Sequence, residues 1–262
     1  LMNFPTGLVG VAVGTASVPV LSRMASEGKT QDFRNTLSSS INLVFLMTLP
    51  SACGLIILGE PIIRLLYSHG GAFRESDVPM TAWALSGYAI GLTGYAAIKV
   101  LSPAFYALDD AKTPMIIALV SILVNVVASY FLMNLLSRVG VSPTAPSGIG
   151  HVGVALATSI VALVNFFALA LIMRKRIGRL NGRDIFLSFS KIAVSSVGLS
   201  AACYASYHFL FGRFGAGTFS IRLAEAFVPI ALGGIAFIII AKLLRITELE
   251  QAFGMMRRKL AR

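Results

Sequence analysis

Seven stretches of roughly 20 mostly apolar residues follow one another along this chain: Phe4 to Leu21, Leu37 to Leu58, Thr81 to Phe105, Met115 to Leu136, Ile149 to Met173, Phe186 to Phe211 and Ile221 to Leu244. Each has the length an α-helix needs to cross a hydrocarbon core of about 30 Å. The runs do not alternate between apolar and polar residues, which excludes a closed β-barrel, the other backbone arrangement that satisfies its own N–H and C=O groups in lipid. The predicted fold class is an all-α integral membrane protein with about seven transmembrane helices. Composition agrees, with 56% hydrophobic and only 13% charged residues and a mean hydropathy of +0.81. A water-soluble domain of this size cannot bury that much apolar surface.

The connections between the runs set the orientation, because Lys and Arg accumulate in short cytoplasmic loops. Arg23, Lys29 and Arg34 follow the first span, Lys112 the third, and Arg174, Lys175, Arg176, Arg179 and Arg183 the fifth; Lys242, Arg245, Arg257, Arg258, Lys259 and Arg262 follow the seventh. The alternate connections hold only Arg64, Arg74, Arg138, Arg213 and Arg222. Residue 1 is therefore expected on the outer side and the C-terminus in the cytoplasm. The net charge of +11 then reflects loops facing anionic lipid headgroups, with no nucleic-acid partner required. The opening LMNFP has no charged n-region or cleavage site, and with an outer N-terminus it reads as the start of a piece whose upstream part contains further spans. The basic run RKRIGRLNGRD, Arg174 to Asp184, marks a border between residues 1–173 and residues 174–262. In the tail, Leu249, Phe253, Met256 and Leu260 recur at helical spacing, the pattern of a helix lying along the inner membrane surface.

No enzyme constellation is present. His69, His151 and His208 are scattered and form no HExxH or Cys/His spacing; Cys53 and Cys203 lie within spans, as small apolar packing residues do. Asp109 and Asp110 stand before Lys112 and Pro114 in a turn, the usual place for an Asp that starts a helix. Arg222 and Glu225, three residues apart, are expected to form a local ion pair.

The third span holds the sharpest signal. Lys99 lies seven residues before Tyr106, roughly 10 Å from the inner end of the helix at 1.5 Å per residue. Its ammonium either snorkels to the headgroups or faces a polar cavity. Tyr88, Gly91, Tyr95 and Lys99 recur at intervals of three and four, so one stripe of this helix is aromatic, small and cationic. Such a stripe fits a water-filled cavity that attracts an anion, phosphate above all. A fainter polar set, Asn125 and Ser129 in the fourth span and Thr158 and Asn165 in the fifth, either coordinates a small cation or makes interhelical hydrogen bonds. No other cofactor is implied; coupling to a monovalent cation or to the membrane potential stays open.

Three segments carry a family likeness: NFPTGLVGVAVGTASVPVLSR (Asn3 to Arg23), AIKVLSPAFYALDDAKTP (from Ala97) and GHVGVALATS (Gly150 to Ser159). With these motifs in this order, the sequence resembles the MurJ/MviN lipid II flippases of bacteria. The resemblance implies a transporter of the multidrug/oligosaccharidyl-lipid/polysaccharide superfamily, with two six-helix lobes around a cavity and two additional C-terminal helices. Residues 1–173 would be the last five helices of the second lobe, and residues 174–262 the extra pair with its basic loop and tail. It further implies alternating access in the bacterial cytoplasmic membrane, moving the undecaprenyl-diphosphate-linked peptidoglycan precursor for cell-wall synthesis. The partners are then that lipid, the surrounding membrane lipids and the absent first lobe. Lys99 falls within the second motif and is implied as a cavity cation, with Tyr88, Gly91 and Tyr95 beside it. Where an acidic residue is expected at a cation site, this chain has Ser129. A related exporter of drugs or other polyprenyl-linked glycans is the alternative.

Overall fold

The computed structural model describes residues 1–67, 73–139, 148–178, 180–214 and 219–250. His69, Arg179 and the tail positions Phe253, Met256 and Leu260 lie outside the described residues. In chain order the helices are α1 (Asn3–Pro5), a π-helical segment (Thr6–Val11), α2 (Ala12–Ser26), α3 (Thr30–Ile57), α4 (Gly59–Tyr67), α5 (Asp77–Ile90), α6 (Leu92–Tyr106), α7 (Lys112–Leu136), α8 (Gly150–Ile177), α9 (Gly182–Phe214) and α10 (Phe219–Leu243). Among the described residues, seven helical segments are long and apolar enough to cross a membrane, and they coincide with the seven runs read from the sequence. The chain is a multi-pass, all-α membrane protein.

The boundaries shift in informative ways. The third span is two helices, α5 and α6, broken at Gly91, which has φ −84° and ψ −5°. The basic run after the fifth span is mostly helical: Arg174, Lys175 and Arg176 form the last turn of α8, where cations complement the negative end of the helix dipole. Gly178, at φ 82°, then ends the helix in a conformation that suits glycine. At 33 residues, α9 is roughly 50 Å long by its rise per residue, longer than the hydrocarbon is thick, so it tilts or projects beyond it. The short helix α4 is too brief to span and had no place among the apolar runs.

Helices pack through small residues, as expected where lipid removes the hydrophobic drive between spans. Gly87, Gly91 and Gly94 of the third span face Ala155, Ser159 and Ala162 of α8. Gly150 and Gly153 of α8 face Met133, Ser137 and Leu132 of α7. Gly10 and Gly14 of the first span face Ala96, Lys99 and Val100 of α6. The extra pair is joined by Gly233 of α10 against Cys203 of α9 and by Gly198 of α9 against Ile240 of α10. The principal core gathers Leu37, Ile41, Val44 and Phe45 of α3 with Val100, Leu101 and Phe105 of α6, Leu169 and Met173 of α8, and Ile192 and Leu199 of α9. So α9 docks on α3, and α10 packs against α9 and α4. By contrast α7, whose most apolar stretch is not buried at all, leans on α8 and presents Leu119, Leu123, Val127 and Phe131 outward.

Polar side chains collect at the two ends of the bundle. At one end Arg64 Nε lies 3.3 Å from Glu75 and an Arg222 terminal nitrogen lies 3.6 Å from the same carboxylate. At the other end, Arg34 donates to the carbonyl of Ile177 and Asn35 accepts from Asn181 at 2.9 Å. There too Asp110 pairs with Arg176 at 2.7 Å, and Glu248 accepts from Asn42 at 2.7 Å and Ser188 at 3.0 Å. Arg23, Lys29, Lys112 and Arg183 belong to the second end as well.

Candidate functional site

Lys99 sits in the middle of α6 and is half-buried. Its aliphatic chain runs toward the first span: a Cβ added to Gly10 would lie 3.3 Å from Lys99 Cδ, and one added to Gly14 would meet the Lys99 carbonyl. Only residues without side chains allow this crossing. Gly10 belongs to the π-helical segment Thr6–Val11, a wider, rarer form of helix that recurs at functional sites. Among the described residues the Lys99 ammonium has no hydrogen bond and no ion pair. A lysine deep in a span without a carboxylate partner is in place to meet an anion that comes from outside the protein.

The other members of the stripe lie on either side of the break. Tyr88 ends α5, while Tyr95 and Lys99 lie on α6, and all three are half-buried. Gly91 does not line an open face with them: its Cβ direction ends 2.5 Å from Ser159 Cα, so it is part of the seam with α8. The spacing of three and four suggested one continuous helical face, but the span is interrupted at Gly91, and Gly91 itself faces α8. Ser159, fully buried, donates to the carbonyls of Gly87 at 2.6 Å and Tyr88 at 3.1 Å. It closes the segment GHVGVALATS, yet nothing in its local sequence signals this role.

Most of the fainter polar set is committed internally. Ser129 donates to Asn125 Oδ1 at 3.3 Å, and Thr158 donates to Val154 of its own helix at 2.8 Å. Asn165 Oδ1, further along α8, is buried without a hydrogen-bond partner. No group of three His, Cys, Asp or Glu side chains is placed to hold a metal among the described residues.

The expected Arg222–Glu225 pair does not form. Arg222 reaches across to Glu75, which Arg64 also holds, while Glu225 is buried and neither of its oxygens accepts a hydrogen bond. A spacing of three puts both residues on one face of α10, but the cross-helix carboxylate outcompetes the local one. Of the described histidines, His151 is hydrogen-bonded to the Met80 carbonyl at 2.9 Å, and His208 packs against Tyr204 with ring centroids 4.3 Å apart and planes tilted by 58°. Asp110 acts as expected of a helix start, accepting from the backbone N–H of Thr113 at 3.0 Å and its hydroxyl at 2.8 Å. Those bonds, with the charge of Arg176 behind them, hold its carboxyl below the usual carboxylate range. Clefts of ≈ 430 and ≈ 260 Å³ open at the basic end, the first beside Arg23 and Lys29 and the second beside Arg176; Lys99 lines neither.

Among the described residues, seven apolar helices of crossing length joined by glycine seams define a polytopic α-helical membrane protein. The sequence profile described as lipid II flippase MurJ matches residues 1–225. The chain belongs to that family. It is 36% identical over 176 residues to the lipid II flippase MurJ of Burkholderia cenocepacia, a match covering 67% of this chain and 31% of that protein. It is 33% identical over 253 residues to the probable lipid II flippase MurJ of Thermotoga maritima, covering 96% and 45%. A solved structure of lipid II flippase MurJ in an inward closed conformation superposes with a TM-score of 0.67 at 25% identity, covering 98% of this chain and 45% of that one. The chain thus spans less than half the length of each of these relatives.

Proposed function

We propose that this chain is the C-terminal part of a flippase that carries the undecaprenyl-diphosphate-linked peptidoglycan precursor, lipid II, from the inner to the outer leaflet of the bacterial cytoplasmic membrane. Family membership along residues 1–225 is the observation that carries this reading. Residues 1–173 act as the last five helices of one transporter lobe, working with a first lobe. Residues 174–262 supply an additional helix pair, α9 and α10, along which the polyprenyl chain lies in lipid. Lys99 provides a cation for the diphosphate: charge-assisted hydrogen bonds to a phosphate oxygen are strong in a low-dielectric cavity, and among the described residues no carboxylate pairs with it. Tyr88 and Tyr95 lie along the same path and offer hydroxyls to the sugar. The basic loops face the cytoplasm and residue 1 faces outward, following the Lys and Arg asymmetry.

The test is genetic and biochemical together. The full-length protein that contains this chain is expressed in a bacterium depleted of its own lipid II flippase, and outer-face lipid II is scored by its accessibility to an added lipid II-degrading enzyme. The reading predicts restored growth and restored outer-face lipid II. It fails if the protein reaches the membrane in normal amount and restores neither, while the Burkholderia cenocepacia relative restores both.

A further inference from the structure

A break inside a membrane span leaves backbone carbonyls without their helical partners, and lipid offers them none. Where α5 ends, Gly91 N–H turns back to the Tyr88 carbonyl at 3.2 Å, and the regular helical pattern resumes with Tyr95 N–H on Gly91 at 3.0 Å. Into this turn the neighbouring helix inserts the Ser159 hydroxyl, which donates to Gly87 at 2.6 Å and Tyr88 at 3.1 Å. Serine and threonine within spans ordinarily bond the carbonyl four residues back on their own helix, as Thr48, Ser86, Thr158 and Ser196 do here. Ser159 gives its proton to another helix instead. Gly91 makes this possible, since any Cβ there would collide with Ser159 Cα, Cβ and Oγ at 2.5–2.8 Å.

We infer that Ser159 is a positioning residue: its hydroxyl fixes the angle between α5 and α6 at the Gly91 break and so sets where Tyr88 stands relative to Lys99. Tyr88 hangs from the carbonyl that Ser159 holds, and Lys99 lies two turns below the break on the other helix. The inference rests on the reading of Lys99 and Tyr88 as the substrate path. It adds to that path a residue that never touches substrate.

The experiment uses the full-length protein with its native cysteines replaced and Tyr88→Cys as a reporter, labelled by a water-soluble maleimide. Loss of the hydroxyl in Ser159→Ala is expected to change the labelling rate at position 88 by more than about threefold, the population shift that one interhelical hydrogen bond of average strength supports. A second reporter cysteine at Leu119 on the outward face of α7 is expected to keep its rate. With Tyr88 intact, Ser159→Ala is expected to lower outer-face lipid II at matched abundance. If Ser159→Ala does not accumulate, Ser159→Thr and Ser159→Val replace it: they share one shape, and only Thr, which keeps the hydroxyl, is expected to label at the parent rate. A position-88 rate that stays within threefold, or Thr and Val variants that label alike, overturns the inference. Labelling does not depend on transport, so failure of the parent protein to expose lipid II is a separate result that counts against the functional reading alone.

Discussion

Gly91→Ala separates a cavity-lining glycine from a packing glycine. If Gly91 faced open space, a methyl group there would be harmless and would even favour the helix, since Ala exceeds Gly in helix propensity by about 1 kcal/mol. The structure places that methyl 2.5 Å from Ser159 Cα, whereas contacts of 3.0–3.4 Å are already tighter than most real ones. The third span and α8 must therefore separate by 0.5–0.9 Å, the difference between those distances. Two of the three colliding atoms, Cα and Cβ, are fixed to the α8 backbone, so no rotamer change relieves them. Overpacking of this kind costs about 1–3 kcal/mol, which in a full-length protein more than twice this length lowers the melting temperature by roughly 1–3 °C. Thermal unfolding of the full-length protein in detergent reads the shift. Gly7→Ala and Gly54→Ala, where nothing lies within 4 Å of the new methyl, serve as controls and should melt with the parent or slightly above it. A Gly91→Ala variant that melts with these controls would refute the packed seam between the third span and α8.

Gly153→Ala on α8, whose methyl would lie 2.5–2.8 Å from backbone atoms of Leu132 and Met133, should destabilise by a similar 1–3 kcal/mol or so in the same melting assay. Glu248→Ala leaves the buried Asn42 amide without its 2.7 Å acceptor, a loss of about 1–3 kcal/mol; a thermal shift within error of the parent would contradict it. The carboxyl of Asp110 is held below its usual range by Thr113 and then Arg176, so its contribution is present above the ordinary Asp value of about 3.9 and is lost as pH falls toward the lowered one. Asp110→Asn should flatten that acid limb of the stability profile, and a limb unchanged in the variant would count against the assignment.

The sequence showed the spans because lipid enforces a run of about 20 apolar residues wherever a helix crosses. It showed an asymmetry of Lys and Arg between alternate loops for the same kind of reason, and Arg23, Lys29, Arg34 and Arg176 lie at one end of the bundle. The break at Gly91 was hidden, since a glycine amid apolar residues is equally compatible with a continuous helix, a seam or a turn. Helix α4, EPIIRLLY after Gly59, carried an amphipathic spacing with proline near its start, yet was too short to register as a span. Pairings such as Asn42 with Glu248, 206 residues apart, leave no periodic trace, and neither does the choice of Arg222 between Glu75 and Glu225. Lys99 stood out because a cation deep in a span costs several kcal/mol or more unless something repays it. The structure adds the glycine face that lies against it.

The most direct measurement is outer-face lipid II in cells that depend on the full-length protein, comparing the parent with Lys99→Ala, Lys99→Arg and Lys99→Glu at matched membrane abundance. A cavity cation serving a diphosphate predicts that alanine and glutamate abolish exposure while arginine retains part of it. If all three variants transport normally, Lys99 only anchors the helix at the interface, and its role as the cation for an anionic substrate is contradicted.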